Sequence, residues 1–158
     1  MNDWEIPELN THFFFRERPE AIPGDLRPIW RIGLVLLILH ISSRSRRSSF
    51  GRLHVLNWAL RSEEGRNALL GILKGQRSPE TMVVRIEPSL NRAVDYASGE
   101  GLVQQVQGSR IELTGPGEKE AKNILKCEEI YKDEREFLYE IGKKVTERLV
   151  TELFGGEA

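Results

Sequence analysis

Ten consecutive residues, Ile32 to Ile41, carry a single polar side chain, that of His40. A membrane span requires ~20 apolar residues, so a run of half that length reads as a helix buried in a protein core. Pro28 fits the first turn of a helix, Asp25 stands near the capping position, and Trp30, Leu34, Leu37, Ile38 and Ile41 recur at helical spacing. These residues predict a helix over 27–41. Because Leu36 and Leu39 are apolar too, it should be covered on most sides and form the centre of the core.

A chain of 158 residues can bury one good core and is short for two ordinary domains. The pattern divides it into an arm over 1–26, a core over 27–116 and a helical extension over 117–158, together one compact domain. Hydrophobic residues at 39% and charged residues at 30% exclude wholesale disorder. Cys127 is the only cysteine, and the start Met-Asn-Asp-Trp-Glu lacks the basic-then-apolar pattern of a secretory signal, so a cytoplasmic location is expected.

The arm combines Pro7, Pro19, Pro23 and Gly24 with Trp4, Ile6 and the run Phe13-Phe14-Phe15, which disfavours regular helix. The phenylalanines either cover the domain's own core or dock on a partner. After the first helix, Ser42-Ser43-Arg44-Ser45-Arg46-Arg47-Ser48-Ser49 breaks the apolar pattern and reads as an exposed basic loop. Helices are predicted over 50–61, with Leu53, Leu56 and Leu60 inward, and over 63–74, with Leu69, Ile72 and Leu73 inward. Ser62 sits at a cap position and Gly75 ends the unit.

The β-branched stretch Thr81 to Ile86 suggests a short strand. Pro88-Ser89 opens a further helix with Leu90, Ala93, Val94 and Ala97 on one face, stopped by Gly99-Glu100-Gly101. Two short strands, Leu102 to Gln107 and Arg110 to Leu113, flank Gly108-Ser109 as a hairpin. Thr114-Gly115-Pro116-Gly117 then leads into helices with Ala121, Ile124 and Leu125 inward. A last helix over roughly 133–153 lines up Leu138, Ile141, Val145, Leu149 and Leu153. That stripe must pack either on this domain or on a dimer mate or partner.

No His/Cys spacing suits a metal, no nucleophile elbow or phosphate-cradling glycine loop occurs, and the glycines fall at element ends. The chain therefore reads as a non-enzyme with no cofactor. Its net charge is −1, yet seven arginines and no acid lie between Leu26 and Ser62, while acids outnumber bases eleven to eight from Gly117 onward. Arg44, Arg46 and Arg47 on a serine-rich segment, with Arg52 and Arg92, are the candidate DNA contacts, suited to phosphates rather than bases. The alternatives for the loop are a solvated surface or an acidic protein partner. The helix over 89–99 offers Ser89, Asn91 and Arg92 but also Asp95, flanked by Glu87 and Glu100, so sequence-specific reading should be weak.

The order of a buried first helix, a short second unit, a helix opened by Pro88-Ser89-Leu90-Asn91-Arg92-Ala93, the exit Glu100-Gly101-Leu102-Val103 and Leu113-Thr114-Gly115-Pro116-Gly117 after the hairpin resembles winged-helix proteins. The resemblance implies an α+β, mostly helical fold: a winged-helix core with a two-stranded wing, an extended N-terminal arm and added C-terminal helices. Leu53-His54-Val55-Leu56-Asn57-Trp58-Ala59-Leu60 together with Pro88 to Val103 looks like the small middle component of three-component ABC systems, among them Lamassu-type anti-phage defence. That resemblance, over about residues 27–120, implies an accessory subunit bound to an SMC-like (Rad50-like) coiled-coil ATPase, with a separate effector subunit supplying catalysis.

Two functions follow as expectations. The first is an adaptor that bridges ATPase and effector and touches DNA backbone without sequence preference, docking through Phe13, Phe14, Phe15, Leu138, Ile141, Val145 and Leu149. The second is a homodimeric winged-helix transcription regulator, with the last helix as dimer seam and the 89–99 helix in the groove.

Overall fold

The computed structural model describes residues 28–155. Helix α1 spans Pro28–Ile41 and every residue from Gly33 to Leu39 is buried. It runs through the middle of the molecule, touching α2 (Phe50–Leu60), α4 (Pro88–Gly99), α5 (Gly115–Lys126) and α6 (Lys132–Ile141). A helix apolar on nearly every side has little face to give to water, so its neighbours must enclose most of it. Burying each of its leucines stabilises the fold by about 1.5–3 kcal/mol relative to exposure.

Four of the other helices start where their sequences supply caps. Ser49 Oγ accepts from the Arg52 amide, Ser62 Oγ from Gly65, Thr114 Oγ1 from Gly117 and Thr146 Oγ1 from Leu149, opening α2, α3 (Glu63–Leu73), α5 and α7 (Glu147–Leu153). Helix α4 instead has proline in its first turn, where a missing N–H costs nothing.

Three strands, β1 (Arg47–Ser49), β2 (Val103–Val106) and β3 (Arg110–Leu113), form an antiparallel sheet in the order β1-β3-β2. Arg47 lies opposite Glu112 and Ser49 opposite Arg110; Val103 lies opposite Leu113 and Val106 opposite Arg110. Inward Val103, Ile111 and Leu113 join the α1 core. The architecture is thus α+β and mostly helical, as the sequence leads one to expect.

Three local expectations are corrected. The 42–49 segment is not simply an exposed loop: Ser42, Ser43 and Ser48 are buried, and its end is β1. Strand β3 supplies the pairing that the polar sequence Arg-Ser-Ser hides. The 81–86 stretch forms no strand; a 3-10 turn at Pro79–Thr81 leads into irregular chain, with Val83 and Ile86 exposed. Among the described residues no strand pairs with it. The last helix is interrupted: α6 ends at Gly142, whose φ of 51° and ψ of −123° suit glycine alone, and α7 starts five residues later.

Candidate nucleic-acid interface

The basic segment is held by the end of α1. Ser42 Oγ donates to the Leu138 carbonyl at 2.9 Å and Ser43 Oγ to the Ile38 carbonyl at 3.0 Å. A 3-10 turn at Arg44–Arg46 follows, with Ser45 and Arg46 at positive φ, and it throws the arginine side chains outward. The five predicted DNA contacts then part company.

Arg52 points inward and is 5% exposed, so its assignment as a DNA contact is corrected. Its Nε donates to the Val145 carbonyl at 2.8 Å, its Nη1 to Ser43 Oγ at 2.9 Å and its Nη2 to the Ser42 carbonyl. Burial lowers its pKa from the ordinary arginine value, and the charge of Glu147 opposes that shift. The position looked superficial because it follows closely on the basic, serine-rich segment 42–49. In fact a guanidinium fork is what the carbonyls of two converging loops require.

Arg44 and Arg47 stay on the surface and line a cleft of about 210 Å³ with Arg110 and Lys143, above the buried Arg52. Among the described residues no carboxylate pairs with Arg44, Arg110 or Lys143. Arg47 Nε donates to Glu112 Oε1 at 2.9 Å, and the hydrogen bonds from Arg47 and then Gln104 hold the Glu112 carboxyl below its usual range. Glu147 also lines the cleft, where Ser49 Oγ donates to its carboxylate at 2.7 Å. The surplus is positive, and guanidinium groups match phosphate oxygens bidentately.

Arg46 does not line the cleft; it pairs with Glu118 at the start of α5. Arg92 is exposed on α4 beside Asp95 and Tyr96, away from the cleft lining. Arg110 and Lys143 were missed in the sequence. Their only signal is the register: Arg110 joins the group because β1 pairs with β3, and β1 is itself hidden in the sequence.

A second polar cluster lies between α1, α2 and the start of α4. Arg31 Nη1 donates to Asn57 Oδ1 and to Glu87 Oε2, each at 2.9 Å, and Arg61 also pairs with Glu87. The Glu87 amide donates to His54 Nδ1 at 3.4 Å, which leaves the His54 Nε2 proton for Asn91 Oδ1 at 3.2 Å. Burial, the largest effect, lowers the His54 pKa. This cluster clamps α4 onto α1 and α2.

Of the proposed docking residues, Phe13, Phe14 and Phe15 lie outside the described residues. Leu138, Ile141 and Val145 are buried within this chain and Leu149 is half-buried. Of the two alternatives for the stripe, packing on its own domain is therefore the one observed for those buried residues. Among the described residues no group of His, Cys, Asp and Glu could hold a metal ion, and no helix is long and apolar enough to cross a membrane. Comparison with known protein families, with curated proteins and with solved structures finds no match to this chain.

Proposed function

We propose that this chain is a non-catalytic winged-helix accessory subunit that grips the phosphate backbone of nucleic acid through the Arg44–Arg47–Arg110–Lys143 cleft. The convergence of these four cations on one cleft carries the reading. The winged-helix part is supported by the strand order β1-β3-β2 and by α4 lying directly before the β2–β3 hairpin, as a groove-facing helix precedes its wing. Backbone contact without base reading is supported by the position of the cations on strand β1, hairpin strand β3 and loops rather than on α4.

The assembly role rests on the sequence resemblance: the subunit serves a three-component ABC system, joining an SMC-like ATPase to an effector in anti-phage defence. The use of Arg31, His54, Asn57 and Glu87 as mutual partners in a structural clamp fits a subunit that leaves catalysis to other chains. The regulator reading is weakened because Leu138 and Ile141, its intended dimer seam, are buried within one chain.

The test is binding of the purified protein to duplexes of unrelated sequence over a salt series. Four neutralised phosphates give a slope of log K against log salt of about −3.6. Equal affinity for unrelated duplexes is expected, with the slope falling by about one in Arg44→Ala or Arg110→Ala. Unchanged binding in both variants would remove the cleft from the function. Tagged protein recovered from nuclease-treated native extract should carry a coiled-coil ATPase; recovery of only itself as a dimer would favour the regulator.

A further inference from the structure

Sharing no lining residue with the arginine cleft, an apolar groove of about 670 Å³ is framed by α1, α5 and the chain entering α6. Ile29, Trp30, Ile32, Leu102, Ile124 and Ile130 line it, and the exposed carboxylates of Glu100 and Glu120 lie among them. Ile29 is 83% exposed although it sits in the first turn of the most apolar helix in the molecule. A contiguous apolar surface of this kind on a folded domain marks a place where something binds.

We infer that the groove is the seat of this chain's own N-terminal segment Phe13-Phe14-Phe15-Arg16-Glu17-Arg18. Three features of the chain favour that occupant. The arm enters α1 at Pro28, and the first turns of α1 are the groove wall, so the segment is tethered beside its site at high effective concentration. The twelve residues from Arg16 to Arg27 can span up to ~40 Å when extended, ample to reach back. Charge matches as well: Arg16 and Arg18 follow the phenylalanines, and Glu100 and Glu120 await them. A cavity of about 150 Å³ accommodates one benzene ring, so the groove has room for more than one phenylalanine. The segment closes the domain's own apolar surface instead of reaching for a partner.

Cys127, the only cysteine and an exposed one, lies midway between groove residues Ile124 and Ile130, which permits a direct test in the full chain. A Glu17→Cys variant treated at high dilution with a short bis-maleimide should link residues 17 and 127 within one chain, identified by peptide mapping. Ile29→Glu, at an exposed position that leaves the fold intact, should slow that linkage at least about fivefold, as should Phe14→Ser, by releasing the tethered segment. Linkage between chains would assign the groove to a second copy and overturn the inference. So would the absence of any linked product, or a rate indifferent to both substitutions. None of the cleft cations takes part, so this inference and the proposed function can fail separately.

Discussion

The guanidinium of Arg31 and the carboxylate of Glu87, 56 positions apart, meet at 2.9 Å where Arg31 is only 4% exposed. Arg31 belongs to α1 and Glu87 caps α4, so the pair fixes where α4 starts against the central helix. A hydrogen bond to a charged group contributes about 1.5–3 kcal/mol. Glu87→Ala should therefore lower the unfolding free energy in urea by about 1.5–3 kcal/mol, with Arg31 still held by Asn57. Glu87→Gln, which keeps an acceptor oxygen in the same place, should cost less than Glu87→Ala.

Gly117 and Gly115 share the first turn of α5 but should respond unequally to alanine. A Cβ on Gly117 would lie 1.9 Å from the Leu102 carbonyl oxygen, which is backbone and itself accepts the Thr114 amide at 3.0 Å. A Cβ on Gly115 would meet no described atom within 4 Å beyond its own helix and its chain neighbours. Gly117→Ala should thus destabilise by about 1–3 kcal/mol, as overpacked sites do. Gly115→Ala meets only the ordinary restriction on a residue before a proline, here Pro116, and should cost less than Gly117→Ala. Equal effects in thermal or urea denaturation would contradict the close approach of α5 to the strand entrance.

The difference between what the sequence reveals and what it hides follows from which forces are local. Helix α1, helix α4 and the hairpin are legible because apolar spacing, a proline in a first turn and Gly108-Ser109 act within a few residues. Strand β1 is invisible because Arg47-Ser48-Ser49 owes its conformation to β3, more than sixty positions away. Thr81 to Ile86 shows the reverse: strand-forming side chains that pair with no strand among the described residues are irregular. Arginine misleads for the same reason. Arg31 and Arg52 are long enough to be buried along their stems, and only the fold brings Glu87, Ser42 and Val145 to their charged ends.

Acid should weaken the fold through two histidines. His54 accepts the Glu87 amide at Nδ1, and His40 has a buried Nδ1 with no hydrogen-bond partner among the described residues; burial is the largest cause lowering both pKa values. A base whose folded pKa is lowered takes up its proton more readily when unfolded, so its contribution is complete above the unfolded value of about 6.5. It is lost progressively as pH falls below that value. Urea midpoints should fall from pH 7.5 to pH 5, and His54→Gln should flatten that dependence. A histidine titration by NMR placing His54 above 6.5 would refute the assignment.

Arg44 and Arg52 stand at one cleft and should separate binding from stability. Arg52 answers two carbonyls and a hydroxyl at once, and truncation leaves these buried acceptors short of donors at about 1–3 kcal/mol each. Arg52→Ala should accordingly cost roughly 3 kcal/mol of stability or more. Arg52→Lys should recover little of it, since an ammonium cannot reproduce the planar fork. Arg44 is exposed, and Arg44→Ala should stay within about 0.5 kcal/mol of the parent stability. Its loss should appear instead as weaker duplex binding at low salt, a difference that closes as salt rises because fewer counterions are released. Denaturation and duplex titration on the same preparations check both halves. If Arg44→Ala leaves duplex affinity untouched while Arg52→Ala destabilises the fold, the basic segment acts only as a brace between α1, α2 and the 142–146 turn.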